Sequence, residues 1–83
     1  MKEKNVRYSI ETGFMGKYRI CKKYTAEYED CAINYKAYLH SCYKGKYKWY
    51  TDHTWAQDYT LATAEKHLEA LRKARRNETR KNH

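Results

Sequence analysis

Cys31-Ala32-Ile33-Asn34-Tyr35-Lys36-Ala37-Tyr38-Leu39-His40 decides how many strands this chain has. At a period of two, Cys31, Ile33, Tyr35, Ala37 and Leu39 point one way and Ala32, Asn34, Lys36, Tyr38 and His40 the other, as in a half-buried strand. At a helical period, Tyr24, Tyr28, Cys31, Tyr35, Tyr38 and Cys42 form a stripe, with Thr25 as cap and Gly45 as stop. The density of Tyr, Ile and Cys favours the strand. Either reading leaves the class α+β, because the flanking segments supply both strands and a helix.

On the N-terminal side, Lys17–Tyr24 alternates: Tyr18, Ile20 and Tyr24 oppose Lys17, Arg19, Cys21 and Lys23. Tyr8-Ser9-Ile10-Glu11 is the expected partner strand, joined to it by a turn at Thr12-Gly13-Phe14-Met15-Gly16. On the C-terminal side, Lys46–Thr51 sets Tyr47, Trp49 and Thr51 against Lys46, Lys48 and Tyr50. Leu61, Ala64, Leu68 and Leu71 then fall at spacings of three, four and three, which predicts an amphipathic helix over about 60–76. Thr60 is its expected N-cap. Glu65 and Glu69 come early, and Arg72, Lys73, Arg75 and Arg76 late, as the helix dipole prefers.

The expected architecture is one small α+β domain over residues 1–83, with 77–83 a frayed basic tail. An antiparallel sheet of three to four strands would carry the C-terminal helix on one face, since a single apolar stripe covers a single face. Tyr18, Ile20, Ile33, Tyr35, Tyr47 and Trp49 would be covered. Lys17, Arg19, Lys23, Lys36, Lys46, Lys48 and Tyr50 would be open.

A chain of 83 residues buries only a modest core. Aliphatic residues are few, so tyrosines and both tryptophans must add bulk to it. With 16% aromatics the chain is no disordered tail, although 34% of it is charged and its mean hydropathy is −1.21. The net charge of +8 bears on partners and solubility and leaves nucleic acid, an acidic protein surface and anionic lipid open. Its surplus sits in residues 1–24, 44–57 and 72–83. No apolar run approaches the roughly 20 residues that span a membrane. Met1-Lys2-Glu3-Lys4-Asn5 leads into no hydrophobic stretch, so a cytoplasmic protein with reduced cysteines is expected, Cys21 being an exposed thiol. Cys21, Cys31, Cys42, His40 and His53 lack the close pairs of a zinc site, so no metal or cofactor is expected. Cys42, Asp52 and His53 are the residue types of a nucleophile, orienter and base, but no catalytic signature surrounds them, and the expectation is not an enzyme.

Cations and rings interleave most densely at Tyr43-Lys44-Gly45-Lys46-Tyr47-Lys48-Trp49-Tyr50. Cationic heads neutralise phosphates and flat rings stack on bases, so this composition suits binding. The pleat sends Tyr47 and Trp49 to the core, which leaves Tyr50 and Trp55 as surface rings. The candidate binding residues are therefore Lys17, Arg19, Lys23, Lys36, Lys46, Lys48, Tyr50 and Trp55, with Arg72, Arg75 and Arg76 at the helix end. The expected partner is nucleic acid or a nucleoprotein complex, with a host defence protein as the alternative.

Gly45-Lys46-Tyr47-Lys48-Trp49 in the last strand, followed by Tyr59-Thr60-Leu61-Ala62-Thr63-Ala64-Glu65 opening the helix, resembles the plant AP2-type domain and the arm-binding domain of phage integrases. Ala62 and Thr63 stand where those families carry Glu, so their capping box is missing. The resemblance implies a three-stranded sheet whose exposed face sits in the DNA major groove. The Tyr-rich, Lys-rich composition and the Thr60-Leu61-x-x-Ala64-Glu65 helix start also resemble small bacteriophage accessory proteins, a group that includes anti-CRISPR inhibitors. That likeness implies a non-enzymatic protein acting in the host cytoplasm, either on nucleic acid or directly on a host effector.

Overall fold

The computed structural model describes the backbone of residues 2–81 and the side chains of residues 2–76. Four strands, β1 (Lys2–Thr12), β2 (Tyr18–Glu27), β3 (Ala32–Tyr43) and β4 (Lys46–Tyr50), form an antiparallel sheet in the order β1-β2-β3-β4. A 3₁₀ turn at His53–Trp55 and the helix α1 (Leu61–Lys81) follow. The ambiguous middle is thus a strand, and the sheet has one strand more than the three-stranded resemblance implies.

β1 begins six residues before the expected Tyr8, because its first turn of chain finds partners on the far end of β2. Lys2, Glu3 and Lys4 pair in register with Glu27, Ala26 and Thr25. Lys4 Nζ lies 2.8 Å from Glu27 Oε1, and Lys22 Nζ 2.6 Å from Glu3 Oε1. A bulge between Lys4 and Arg7 contains Asn5 at φ 54°, a left-handed position that Asn tolerates better than most residues. The β3–β4 connection is a two-residue turn with Lys44 and Gly45 both at positive φ (50° and 77°), whose twist matches that of the strands.

Near its C-terminal end the sheet splits. The last β2–β3 pair is Cys21 with Tyr38, and a bulge between Leu39 and Ser41 turns β3 toward β4. Residues 57–59 fill the gap. Tyr59 exchanges both backbone hydrogen bonds with Tyr18 (2.7 and 2.8 Å), and the Gln57 N–H donates to Leu39 O at 3.0 Å. The wedge delivers the chain to Thr60, whose hydroxyl accepts from the Thr63 N–H at 3.4 Å and so caps α1 as expected. The helix runs past the expected end at 76 because residues 77–81 contain no Gly or Pro to stop it. The basic-tail expectation for Asn82 and His83, and for the side chains from Asn77 onward, lies outside the described residues.

Ile20, Leu39, Ala64 and Leu71 form the core, with Tyr8, Ile10, Tyr18, Tyr47, Trp49 and Tyr59 packed around it. Aromatic bulk does replace missing aliphatic bulk. Tyr8 on β1 stacks on Trp49 of β4 at 5.7 Å, and Ala37, in register with Lys22, is the small buried residue between them. Lys22 also falls on this covered face. Its ammonium is held by Glu3 and lies 4.9 Å from the Tyr24 ring and 5.5 Å from that of Trp49. Two expectations fail here. Ile33 has the parity of the covered face but is 43% exposed, because α1 packs over β1 and β2 and does not extend to the start of β3. Leu61, in the first turn of the helix, is 44% exposed, so the apolar stripe engages the core from Ala64 onward.

Candidate functional site

The open face is set by register. Arg7 of β1 pairs with Lys23 of β2, which pairs with Lys36 of β3, so three cations stand side by side across three strands. Like charges directly opposite each other are destabilising. Lys36 is compensated by Glu11, whose Oε1 lies 2.6 Å from its Nζ. Neither Arg7 nor Lys23 has an ion-pair partner among the described residues. The row lines a shallow depression of about 680 Å³ with Asn5, Thr25 and Asn34, where the Thr25 hydroxyl donates to Asn34 Oδ1 at 2.7 Å.

The next row is Ser9, Cys21, Tyr38 and Tyr50. Cys21 is fully buried, against the expectation of an exposed thiol. The cause is the diagonal ion pair above it. Glu11 is in register with Arg19 and Lys36 with Lys23, so the bridge from β1 to β3 spans the intervening Cys21. Burial pushes the thiol up, and the Glu11 charge adds to this. The same bridge raises the Lys36 ammonium, because its hydrogen bond to Glu11 favours the charged form. Lys36 Nζ lies 5.4 Å from the Tyr38 ring and Lys48 Nζ 5.6 Å from the Tyr50 ring, so each cation is paired with a tyrosine.

Beside Tyr50 lies a cluster of rings. His40 meets Tyr50 edge-on at 5.1 Å and Trp55 edge-on at 6.2 Å, and the Tyr50 and Trp55 rings are 6.1 Å apart at an interplanar angle of 39°. His40 Nδ1 lies 2.8 Å from the Trp55 carbonyl. A carbonyl only accepts, so Nδ1 carries the proton in this bond. The 3₁₀ turn holding Trp55 is capped by Asp52, which accepts from the Thr54 N–H at 2.9 Å and is held below its ordinary pKa by that bond. Trp55 is 55% exposed. At the same end of the face, Arg19 Nε donates to Asp58 Oδ1 at 2.9 Å, and this bond keeps the Asp58 carboxyl low. Gly13 is needed there, since a Cβ would collide with Asp58 Oδ1.

Of the expected binding residues, Lys23, Lys36, Arg19, Lys48, Tyr50 and Trp55 share the open face, with Arg19 and Lys36 engaged by carboxylates. Tyr50 is half-buried among its neighbours. Lys17 and Lys46 are exposed at the turn ends of β2 and β4. Arg72, Arg75 and Arg76 are not part of this surface. They line a groove of about 770 Å³ between α1 and the outer edge of β1, and Arg72 Nη2 donates to Tyr8 O at 3.2 Å. Among the described residues Arg7 alone borders both the groove and the open-face depression. Sequence reasoning missed Arg7, Tyr38 and His40. Tyr8 and Ile10 facing inward already put Arg7 outward, but a strand begun at Tyr8 leaves it out. Tyr38 and His40 lie on the outward side of the alternation, the signal that could have found them. Among the described residues no group of three or more His, Cys, Asp or Glu is gathered as a metal site, and no helix is long and apolar enough to cross a membrane.

Comparison with known proteins finds no family model, curated protein or solved structure that matches this chain.

Proposed function

We propose that this protein is a non-enzymatic binder of nucleic acid, free or within a nucleoprotein complex, and that it grips its partner with the open face of the sheet. The observation that carries the reading is the Arg7–Lys23–Lys36 row, two of whose members have no counter-charge among the described residues. A face of solvated lysines gains nothing from stacking three cations in register, whereas a phosphate backbone offsets that repulsion. Tyr38, beside Lys36, and Tyr50, paired with Tyr38 and clustered with His40 and Trp55, supply the second half of a nucleic-acid surface. As the phage-protein likeness implies, the protein would act in the cytoplasm, that of a host cell if phage-encoded.

Fluorescence anisotropy with labelled nucleic acid over a salt series tests this. Wild-type affinity should fall steeply with salt. Arg7→Glu with Lys23→Glu should cut it at least tenfold and make the salt slope shallower by about one to two, if each cation engages one phosphate. Lys46→Glu with Lys48→Glu should weaken it less, since only Lys48 adjoins the rings. Unchanged affinity in the first variant at low salt would remove the open face from the account.

The alternative is an inhibitor that binds a host defence protein directly. It is favoured by apolar and aromatic side chains outside the cationic row: Phe14 (66% exposed), Met15 (83%) and Tyr43 (71%) at the turn ends. A tagged pull-down from host lysate, with and without nuclease, separates the two. A stoichiometric protein partner that survives nuclease would favour the inhibitor.

A further inference from the structure

We infer that the nucleic acid this face takes is single-stranded, an inference that rests on the reading of the open face as a nucleic-acid surface. Three observations carry it. First, the ring cluster is built rather than incidental. His40 stands edge-on to both Tyr50 and Trp55 (84° and 86°), and its Nδ1 anchors the backbone beneath Trp55. A surface tryptophan is thereby supported from below while more than half of it stays open. Base faces in a duplex are already consumed by stacking on one another, so a flat ring on a sheet surface meets only base edges there. Unpaired bases offer the faces such a ring accepts.

Second, the row of cations and the row of tyrosines are two residues apart along the strands, a step of about 7 Å. Lys36 and Tyr38 are neighbours in this sense on β3, and Lys48 and Tyr50 on β4, with Lys36 and Lys48 on opposite sides of the Tyr38–Tyr50 pair. That separation suits one nucleotide, its phosphate on the cation and its base on the ring. Third, the cations form a single track. Arg7, Lys23 and Lys36 cross three strands over about 10 Å, while Lys48, level with Ser41, lies beyond the Tyr38–Tyr50 pair on the other side of the rings. A duplex presents two phosphate rows, and among the described residues Arg72, Arg75 and Arg76 border the helix groove, which meets the open-face depression at Arg7. The strand is therefore inferred to cross the sheet from β1 toward β4, with its bases laid over Tyr38, Tyr50 and Trp55.

The test compares a short oligo(dT), an oligo(U) and a duplex of equal length at one salt concentration, using the whole chain. At least one single strand should bind about tenfold or more tightly than the duplex. Tryptophan emission should be quenched on binding, because Trp55 stacks on a base while Trp49 stays in the core against Tyr8. Trp55→Ala should lose about tenfold or more in single-strand affinity and several-fold less in duplex affinity, whereas Trp55→Phe should retain most of it. Duplex binding as tight as single-strand binding, or a Trp55→Ala variant of unaltered affinity, would overturn the inference. If both ligands bind equally and both depend on Arg7 and Lys23, the open face is still the nucleic-acid surface and only strandedness is wrong. If neither ligand binds wild type at low salt, the proposed function falls with it.

Discussion

Where α1 covers the sheet, the large side chains of the core meet one another. Ile20 and Leu39 are fully buried, Tyr8 stacks on Trp49, and Lys22 is neutralised by Glu3 and pressed between rings. On the open face of the same strands, Arg7 and Lys23 stand opposite each other without a counter-charge among the described residues, and Trp55 is more than half exposed. The two faces differ by one residue of pleat, yet one spends its side chains on stability and the other holds some in reserve. Where a fold keeps repulsion that a single Glu would relieve, contacts within the chain do not account for it. A partner does.

The largest effect expected from this contrast is on stability. Leu39→Ala should cost about 3 kcal/mol, a substantial part of the 5–15 kcal/mol typical of a domain, whereas Lys23→Ala should stay within about 0.5 kcal/mol or stabilise the fold. Chemical denaturation of the two variants measures both, and equal losses would erase the distinction between the faces.

A smaller effect should appear in alkali. Burial raises the phenols of Tyr59 and Tyr47. The unfolded chain therefore ionises them first, and stability should decline as pH rises from the ordinary tyrosine value near 10. Tyr59→Phe should flatten that decline in denaturation curves taken across the range. An unchanged slope would mean that the covered face is wetter than its packing indicates.

The smallest effect belongs to the open face. Arg19 depresses the Asp58 pKa, so the contribution of this pair is present above the ordinary carboxylate range and is lost as pH falls through the lowered value. A partly exposed pair is worth no more than about 1 kcal/mol. Asp58→Asn should remove that acid-limb loss with little change at neutral pH. A large loss at neutral pH would show that Asp58 holds the 57–59 wedge in place, a structural duty on the face assigned to binding.

Much of this was legible in local pattern. Tyr18, Ile20, Tyr47 and Trp49 went to the core by alternation alone, and the Ala64-Leu68-Leu71 stripe with Thr60 in front located the helix. The same alternation put Lys23, Lys36 and Lys48 outward. The site was less legible than the fold. Arg7 depends on β1 starting at Lys2, and that rests on Lys4 meeting Glu27 across the hairpin. Trp55 was chosen as a surface ring, but its support by His40 joins residues fifteen apart. Cys21 was expected to be exposed because alternation sets it on the side of Lys17, Arg19 and Lys23. Its cover comes from Lys36 and Glu11 on two other strands.

Periods of two and of three to four residues are properties of adjacent side chains. They indicate which way each residue faces and most of the elements, although the 31–40 segment fits both periods and only its Tyr, Ile and Cys content favours the strand. Which cations share a surface is a different kind of fact. The sheet cations gather because register aligns three strands, and Arg72, Arg75 and Arg76 are separated from them because α1 packs over β1 and β2 on the opposite face. Both depend on contacts between segments far apart in the chain, whose geometry no local period encodes.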